Sequence, residues 1–429
     1  MTHKGSDDMQ ADTASKPFTA GDVVRIASGN FLEMYDFMVF GYFAAAIGQA
    51  YFPSGDGAST LLKSLATFGA GFLMRPLGAL VLGAFTDRHG RRAGLLLTLA
   101  LMSVGIVTLT VTPAYATIGV LAPVLVLFGR LIQGFSAGAE LGNVSVYLAE
   151  IAPPGRTGFY VSWQSASQQV AVVVAALVGV ALSSVLTAAQ LAAWGWRVPL
   201  ALGCLLVPVL FLLRRHLRES TEFEHRRPSD VATILRQLWR ARGVVLGGLG
   251  LVLMTTVSFY MITAYTPTFG KLLHLPEQAN LWVTAGVGAS NLLWLPTIGA
   301  LSDRIGRKPI LIACTVLMLL TAWPAMAWLT ASPSVARLIV VELWLSALYA
   351  GYNSAMVVYL TEIVPAEVRA SGFSLAYSLA TAVGGFTPFL VTWAIGVTGN
   401  RAVPGLWLST VAAISLVSIL LTRHDAATG

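Results

Sequence analysis

Stretches of about 20 residues with scarcely a charge, each long enough to cross the hydrocarbon core of a bilayer, recur along this whole sequence. Twelve can be drawn, at 23–50, 60–84, 93–112, 119–148, 157–184, 196–214, 243–266, 279–301, 309–330, 335–361, 369–397 and 403–422. Backbone N–H and C=O groups find no water in lipid, so a spanning segment must satisfy them internally, as a helix does. The pattern predicts an all-α membrane protein of twelve transmembrane helices. Charged residues are 11% of the 429, against about a quarter in an ordinary soluble chain. The 41 glycines and 11 tryptophans suit helices that approach closely and rings that sit at the membrane interface.

The chain divides around its longest charged stretch, RRHLRESTEFEHRRPSDVATILRQLWRAR at 214–242. The expected organisation is a polar tail at 1–21, a six-helix bundle at 22–214, a linker at 215–242, a second six-helix bundle at 243–422 and a tail at 423–429. The tail shows no apolar core of a signal peptide. Lys and Arg concentrate in cytoplasmic loops. With both termini placed inside, 20 of the 27 fall on the inner side. That bias accounts for the +7 charge without a nucleic-acid partner. GAFTDRHGRR (83–92) returns as GALSDRIGRK (299–308), and YLAEIAPPGRTGF (147–159) returns as YLTEIVPAEVRASGF (359–373). Two matches at nearly one offset make the bundles pseudo-symmetric repeats, with substrate expected near the midplane between them.

The informative residues are the charges inside the apolar runs. Glu33 and Asp36 lie about half a bilayer into the first run and, three apart, share a helix face. Arg75, Arg130, Glu140 and Glu342 lie deep in later runs. A charge at mid-bilayer costs about 2.5–3.5 kcal/mol on insertion scales, so such groups pair or mark function. Two arginines do not neutralise four acids, and at least one carboxylate is expected to carry a proton. Asp36 is expected to pair with Arg130 and to be the main proton-coupling acid, with Glu33 second and Glu140 in the same group. Arg75 and Arg130 are the candidate substrate cations, because a guanidinium matches carboxylate geometry. The candidate uncharged contacts are Asn30, Gln133, Gln164, Gln168, Tyr260, Asn291, Tyr349, Asn353 and Tyr377.

The repeated loops supply a candidate cytoplasmic gate. It comprises Asp87, Arg88, Arg91, Glu150 and Arg156 in the first copy, and Asp303, Arg304, Arg307, Glu362 and Arg369 in the second. Carboxylates there can cap or salt-bridge a neighbouring helix end, and the latch would break when the inner side opens.

GNFLEMYDF (29–37), GFLMRPLGA (71–79), GRLIQGFSAGAELG (129–142), WGWRVP (194–199) and LRESTEF (217–223) together resemble the metabolite:proton symporters of the major facilitator superfamily. LGNVSVYLAEIAPPGRTGFYVSWQSASQQVA (141–171) and TEIVPAEVRASGFSLAYSLATAVGGFTPF (361–389) are similar to its carriers of citrate and tricarballylate. The resemblance implies the twelve-helix major facilitator fold, a bacterial inner-membrane location and import of a tricarboxylate with protons by alternating access. Where such carriers commonly show a double glycine around the fourth-helix acid, this chain has Ala139-Glu140 and Gly142-Asn143. Other solutes of the family, namely dicarboxylates, shikimate and zwitterionic osmolytes, stay open as substrates, as does a sensor that keeps the fold.

An enzyme is not expected, since no nucleophile or acid–base constellation faces water. No histidine falls in the midplane, and no phosphate-binding loop is present. Cys204 and Cys314 lie in separate apolar runs and suggest neither a disulfide nor a metal site. No cofactor is expected, and the partners are a small organic acid, protons and membrane lipid.

Overall fold

The computed structural model describes residues 20–89, 91–138, 144–145, 148–149, 152–215, 236, 239–365 and 369–422. In 20–30, 86–88, 91–92, 95, 210, 213–215 and 369–370 it describes the backbone alone. Asn30, Asp87, Arg88, Arg91, Glu140, Glu150 and Arg369 therefore lie outside the described side chains.

Helix follows the apolar runs closely. The first run forms α1 (Ala20–Tyr42) and α2 (Ala44–Tyr51), and the second forms α3 (Gly57–Leu73) and α4 (Arg75–His89). Next come α5 (Arg91–Val111), the short α6 (Tyr115–Ile118), α7 (Leu121–Ala137) and α8 (Thr157–Val185). A short α9 (Ala188–Gln190) and a π-helical turn (Leu191–Gly195) lead into α10 (Arg197–Arg215). The second half has α11 (Arg242–Phe259), a π-helical turn (Tyr260–Tyr265) and α12 (Thr266–Leu272) as one span. It continues with α13 (Glu277–Ile305), α14 (Arg307–Ala331), α15 (Val335–Ile363), α16 (Arg369–Gly385), α17 (Thr387–Thr398) and α18 (Val403–Leu421). Among the described residues, eight spans are long and apolar enough to cross a membrane, two more are bent pairs, and two shorter apolar helices complete the twelve.

One expectation needs correction. The run 23–50 is not a single helix, because the chain turns through 74° between α1 and α2. Tertiary packing sets the bend. After it, α2 lies on α3 so closely that a Cβ on Gly48 would stand 2.8 Å from the Thr60 carbonyl oxygen. The Asp56 carboxylate caps α3, accepting from the Ser59 N–H and hydroxyl, each at 2.7 Å. Those bonds hold its carboxyl below the usual range.

Large apolar side chains such as Leu73, Val81, Leu205, Leu293, Leu320 and Leu420 point outward, the surface a lipid solvent selects. Inside, α8 packs along α13, α1 meets the π-turn of residues 260–265, and α3 and α4 meet α16. These contacts join the two halves and enclose the charged residues. The end bearing the α4–α5 and α13–α14 loops is called the linker end below, and the opposite end the far end.

Candidate functional site

The charges of the apolar runs form two ion pairs. The Arg75 guanidinium donates to Glu33 at 2.5 Å, and the Arg130 guanidinium donates to Asp36 at 2.8 Å. Arg130 also donates to Gln133, one turn on in α7, at 2.7 Å. The pairing expected between Asp36 and Arg130 is thus present, and Arg75 takes the neighbouring acid on the same face of α1. Arg130 and Asp36 are 0% and 1% exposed. At such depth a charge is tolerated by pairing and by contact with polarisable surface.

Aromatic rings supply that surface. The Arg130 guanidinium carbon lies 4.0 Å from the Phe40 ring centre and 4.7 Å from that of Phe37, and Arg75 lies 4.8 Å from Phe72. Desolvated cation–π contacts of this kind are worth up to about 2 kcal/mol each. The sequence reading missed these phenylalanines. Their signal is spacing: Phe37 and Phe40 follow Asp36 by one and four residues, and Phe72 precedes Arg75 by three.

A cavity opens beside Arg75, at the junction of the halves. Arg75, Gln168, Tyr260, Tyr349 and Tyr377, five of the candidate contacts, line it. Met34, Thr256, Phe259 and Thr381 line it as well and were not foreseen. One guanidinium surrounded by hydroxyl and amide donors can bind an organic anion. In this conformation the cavity has room for no more than about one water, too little for an organic acid.

Other candidates stand outside the cavity. Gln133 accepts from Arg130 and orients it. Gln164 accepts from the Ser165 hydroxyl at 2.9 Å. Asn291 donates across the halves to Gln169 at 3.4 Å and accepts from the Ser346 hydroxyl at 2.8 Å. Asn353 is buried and, among the described residues, its amide has no hydrogen-bond partner. A polar group in a spanning helix bonds a neighbouring helix as readily as a ligand. Glu342 is likewise buried and takes part in neither arginine pair.

Both ends are shut. Toward the far end, a Cβ on Gly385 would stand 2.1 Å from the Phe72 ring and one on Gly69 2.7 Å from the Phe386 ring. At the linker end, α8 and α13 cross at Gly158 and Gly299, where a Cβ on either would stand within 2.4–2.6 Å of the other's carbonyl oxygen. There the Asp303 carboxylate accepts from the N–H groups of Gly158 at 2.7 Å and Phe159 at 3.0 Å, in the first turn of α8. Arg307 bridges Asp303 at 2.8 Å and Glu362 at 3.5 Å. Arg156 and Arg304 are exposed. The sequence reading let these carboxylates cap a neighbouring helix end without saying which, and Asp303 reaches from the second half to cap a helix of the first.

Such a cap is worth about 0.5–2 kcal/mol. Asp303→Ala is expected to shift the closed-to-open ratio of the linker end about tenfold, the equivalent of about 1.4 kcal/mol. Alkylation of a cysteine placed at the buried Ser162 reads that shift. An unchanged rate would mean the cap does not hold the gate.

The model of the sugar (and other) transporter family matches residues 23–227 and 221–423. This chain belongs to that family, a branch of the major facilitator superfamily, and is a multi-pass membrane transporter rather than an enzyme. It is 54% identical over 404 residues to the citrate-proton symporter of Klebsiella pneumoniae, covering 93% of this chain and 90% of that one. It is 50% identical to the citrate-proton symporter of Salmonella typhi, covering 94% of each, and 34% identical to the alpha-ketoglutarate permease of Escherichia coli, covering 96% and 97%. The xylose transporter XylE of E. coli, in a partially occluded inward open conformation, superimposes with a TM-score of 0.72 at 18% identity, covering 93% and 97%. At that identity the likeness concerns the fold alone.

Proposed function

We propose that this protein is a proton-coupled symporter that imports citrate across a bacterial inner membrane by alternating access, with both termini cytoplasmic. The observation that carries the reading is the pair of buried carboxylate–arginine contacts set beside a cavity with one cationic wall. Two relatives at 50% identity or more are named citrate-proton symporters, which supports the same substrate here.

The roles divide by position. Arg75 faces the cavity and binds a substrate carboxylate in competition with Glu33, while Gln168, Tyr260, Tyr349 and Tyr377 donate to the remaining oxygens. Arg130 and Asp36 lie behind this wall. When a proton reaches Asp36, the ion pair weakens and α1 is freed to move against α7. Substrate at Arg75 frees Glu33 to take a proton too. Glu140 belongs to the same proton group. The physics of import fits: each net negative charge entering against an inside-negative potential costs about 2.3 kcal/mol per 100 mV, and bound protons remove that cost. The gate at Asp303, Arg307 and Glu362 faces the cytoplasm, where the arginine-rich loops meet anionic lipid.

Uptake of labelled citrate into right-side-out vesicles under an inward proton gradient tests the reading, with unlabelled tricarballylate as competitor. The wild type accumulates citrate. Asp36→Asn loses accumulation while downhill exchange persists. No citrate uptake under any gradient would overturn the substrate, and undiminished accumulation in Asp36→Asn would overturn the role of that acid. Stronger competition by tricarballylate than by citrate itself would move the preference to that acid.

A further inference from the structure

Among the described acids of the apolar runs, Glu342 is the one that the ion pairs leave out. It sits in α15 at 0% exposure, and among the described residues neither carboxylate oxygen has a hydrogen-bond partner. An ionised carboxylate without a cation or N–H donor is strongly disfavoured there. The neutral acid is the form this conformation can hold.

Two features connect this acid to the transport machinery. One is a stripe along α15. Glu342, Ser346 and Tyr349 fall at i, i+4 and i+7, one face of a helix. Ser346 bonds Asn291, which bonds Gln169 of the first half, and Tyr349 lines the cavity. No hydrogen bond joins the three in this conformation, but the shared face sets a carboxyl, a hydroxyl and a phenol in one line between Glu342 and the cavity. The other feature is Thr266, whose hydroxyl lies beside Glu342 but donates to the Ile262 carbonyl at 2.9 Å. It thereby closes the π-turn that carries Tyr260 into the cavity and sets the Ala264 carbonyl against Gly41 of α1.

We propose that Glu342 is a second proton-binding residue of the transport cycle, loaded from the cavity along Ser346 and Tyr349 and read by the π-turn through Thr266. With its proton bound, Glu342 leaves the Thr266 hydroxyl on Ile262 and the far end closed. With the proton lost, the carboxylate is the stronger acceptor and draws that hydroxyl off the turn, loosening the contact with α1. The proposal rests on the proton-symport reading above.

No other described titratable or charged group competes at this position. Lys271 and Glu277 pair with each other at 2.7 Å. Tyr265 bonds Thr392, and Tyr260 and Tyr377 line the cavity. Arg337 donates to the Trp328 carbonyl, Tyr352 to the Leu251 carbonyl and Tyr359 to the Thr422 carbonyl. Arg307 stays with Asp303 and Glu362 at the linker end, beside Arg304 and Lys308. On α14, Cys314 faces Gly351, more than two turns from Glu342 along α15. On α11 and α8, Arg242 stacks over Trp239, and Tyr160 packs on Phe159 beside the Asp303 cap.

The test uses full-length protein in liposomes with a trapped pH dye, the membrane potential clamped and a one-unit inward pH gradient. Loss of one coupled proton lowers the accumulation limit about tenfold per unit of gradient. Glu342→Gln is expected to show that tenfold fall and a smaller proton entry per citrate, while counterflow of citrate persists. Ser346→Ala, a milder change, is expected to slow proton entry without altering the final accumulation. Wild-type accumulation and proton entry in Glu342→Gln overturn the proposal. Should that variant fail to fold, wild-type proton kinetics in Ser346→Ala overturn it instead. Citrate uptake without proton entry in the wild type overturns the symport reading and this proposal with it.

Discussion

Arg130→Gln is expected to abolish proton-driven accumulation and to lower the stability of the fold by about 3–5 kcal/mol, the usual effect of leaving one member of a buried pair uncompensated. The double variant Asp36→Asn/Arg130→Gln recovers most of that stability and none of the accumulation. The asymmetry follows from what surrounds the pair. Arg130 is wholly buried, bonded to Asp36 and Gln133, and seated over Phe37 and Phe40. Removing the guanidinium strips those contacts and leaves Asp36 as an acid in an apolar chamber. Neutralising both partners leaves two amides, which can bond each other and Gln133. Thermal unfolding of purified protein reads the first quantity and vesicle uptake the second. A double variant no more stable than Arg130→Gln would mean that packing on the rings, and not the charge couple, holds the site.

The spans were legible because apolar length is written locally. Most predicted runs meet a helix with ends displaced by a few residues, while 119–148 meets α7 only as far as Ala137 and the rest of it lies largely outside the described residues. The run 23–50 breaks at Phe43 because α2 turns to lie on α3, a contact no local pattern encodes. The Asp36–Arg130 pair was legible for a different reason. So few charges enter the membrane that each of the two arginines must find an acid among them. Polar residues carry no such compulsion. Tyr260, Tyr349 and Tyr377 reach the cavity, whereas Asn291 bonds Gln169 and Ser346, and nothing in the sequence separates the two cases. The repeated loops carry carboxylates able to cap a helix end, yet the helix that Asp303 caps is decided by the crossing of α8 and α13 at Gly158 and Gly299. Only the assembled halves contain that information.

That dependence on close helix approach leads to the second large effect. Gly134→Ala is expected to prevent assembly of the site or of the whole first half. A Cβ on Gly134 would stand 1.6 Å from the Gly71 carbonyl oxygen, where ordinary contact is 3.4 Å or more. The obstacle is backbone and cannot swing aside. Gly78 and Gly138 press on the carbonyls of Phe135 and Arg75 in the same way, at 1.8 and 2.1 Å for their missing Cβ atoms. One seam of glycines therefore sets the approach of α3 and α4 to α7. Arg75 and Arg130 project from those same helices toward adjacent acids of α1, so the seam fixes their spacing. To admit one methyl group the helices must part by about 1.8 Å, the difference between a clash and van der Waals contact. Overpacking of that kind costs about 1–3 kcal/mol or more, and it draws the guanidinium groups off Glu33 and Asp36. Gly286→Ala is the control, since a Cβ there meets nothing within 4 Å and alanine favours helix by up to about 1 kcal/mol. Yield of monodisperse protein, melting temperature and citrate uptake should fall together in Gly134→Ala and hold in Gly286→Ala. Wild-type stability and uptake in Gly134→Ala would show that this seam opens without loss, and that the spacing of the two arginines is set elsewhere.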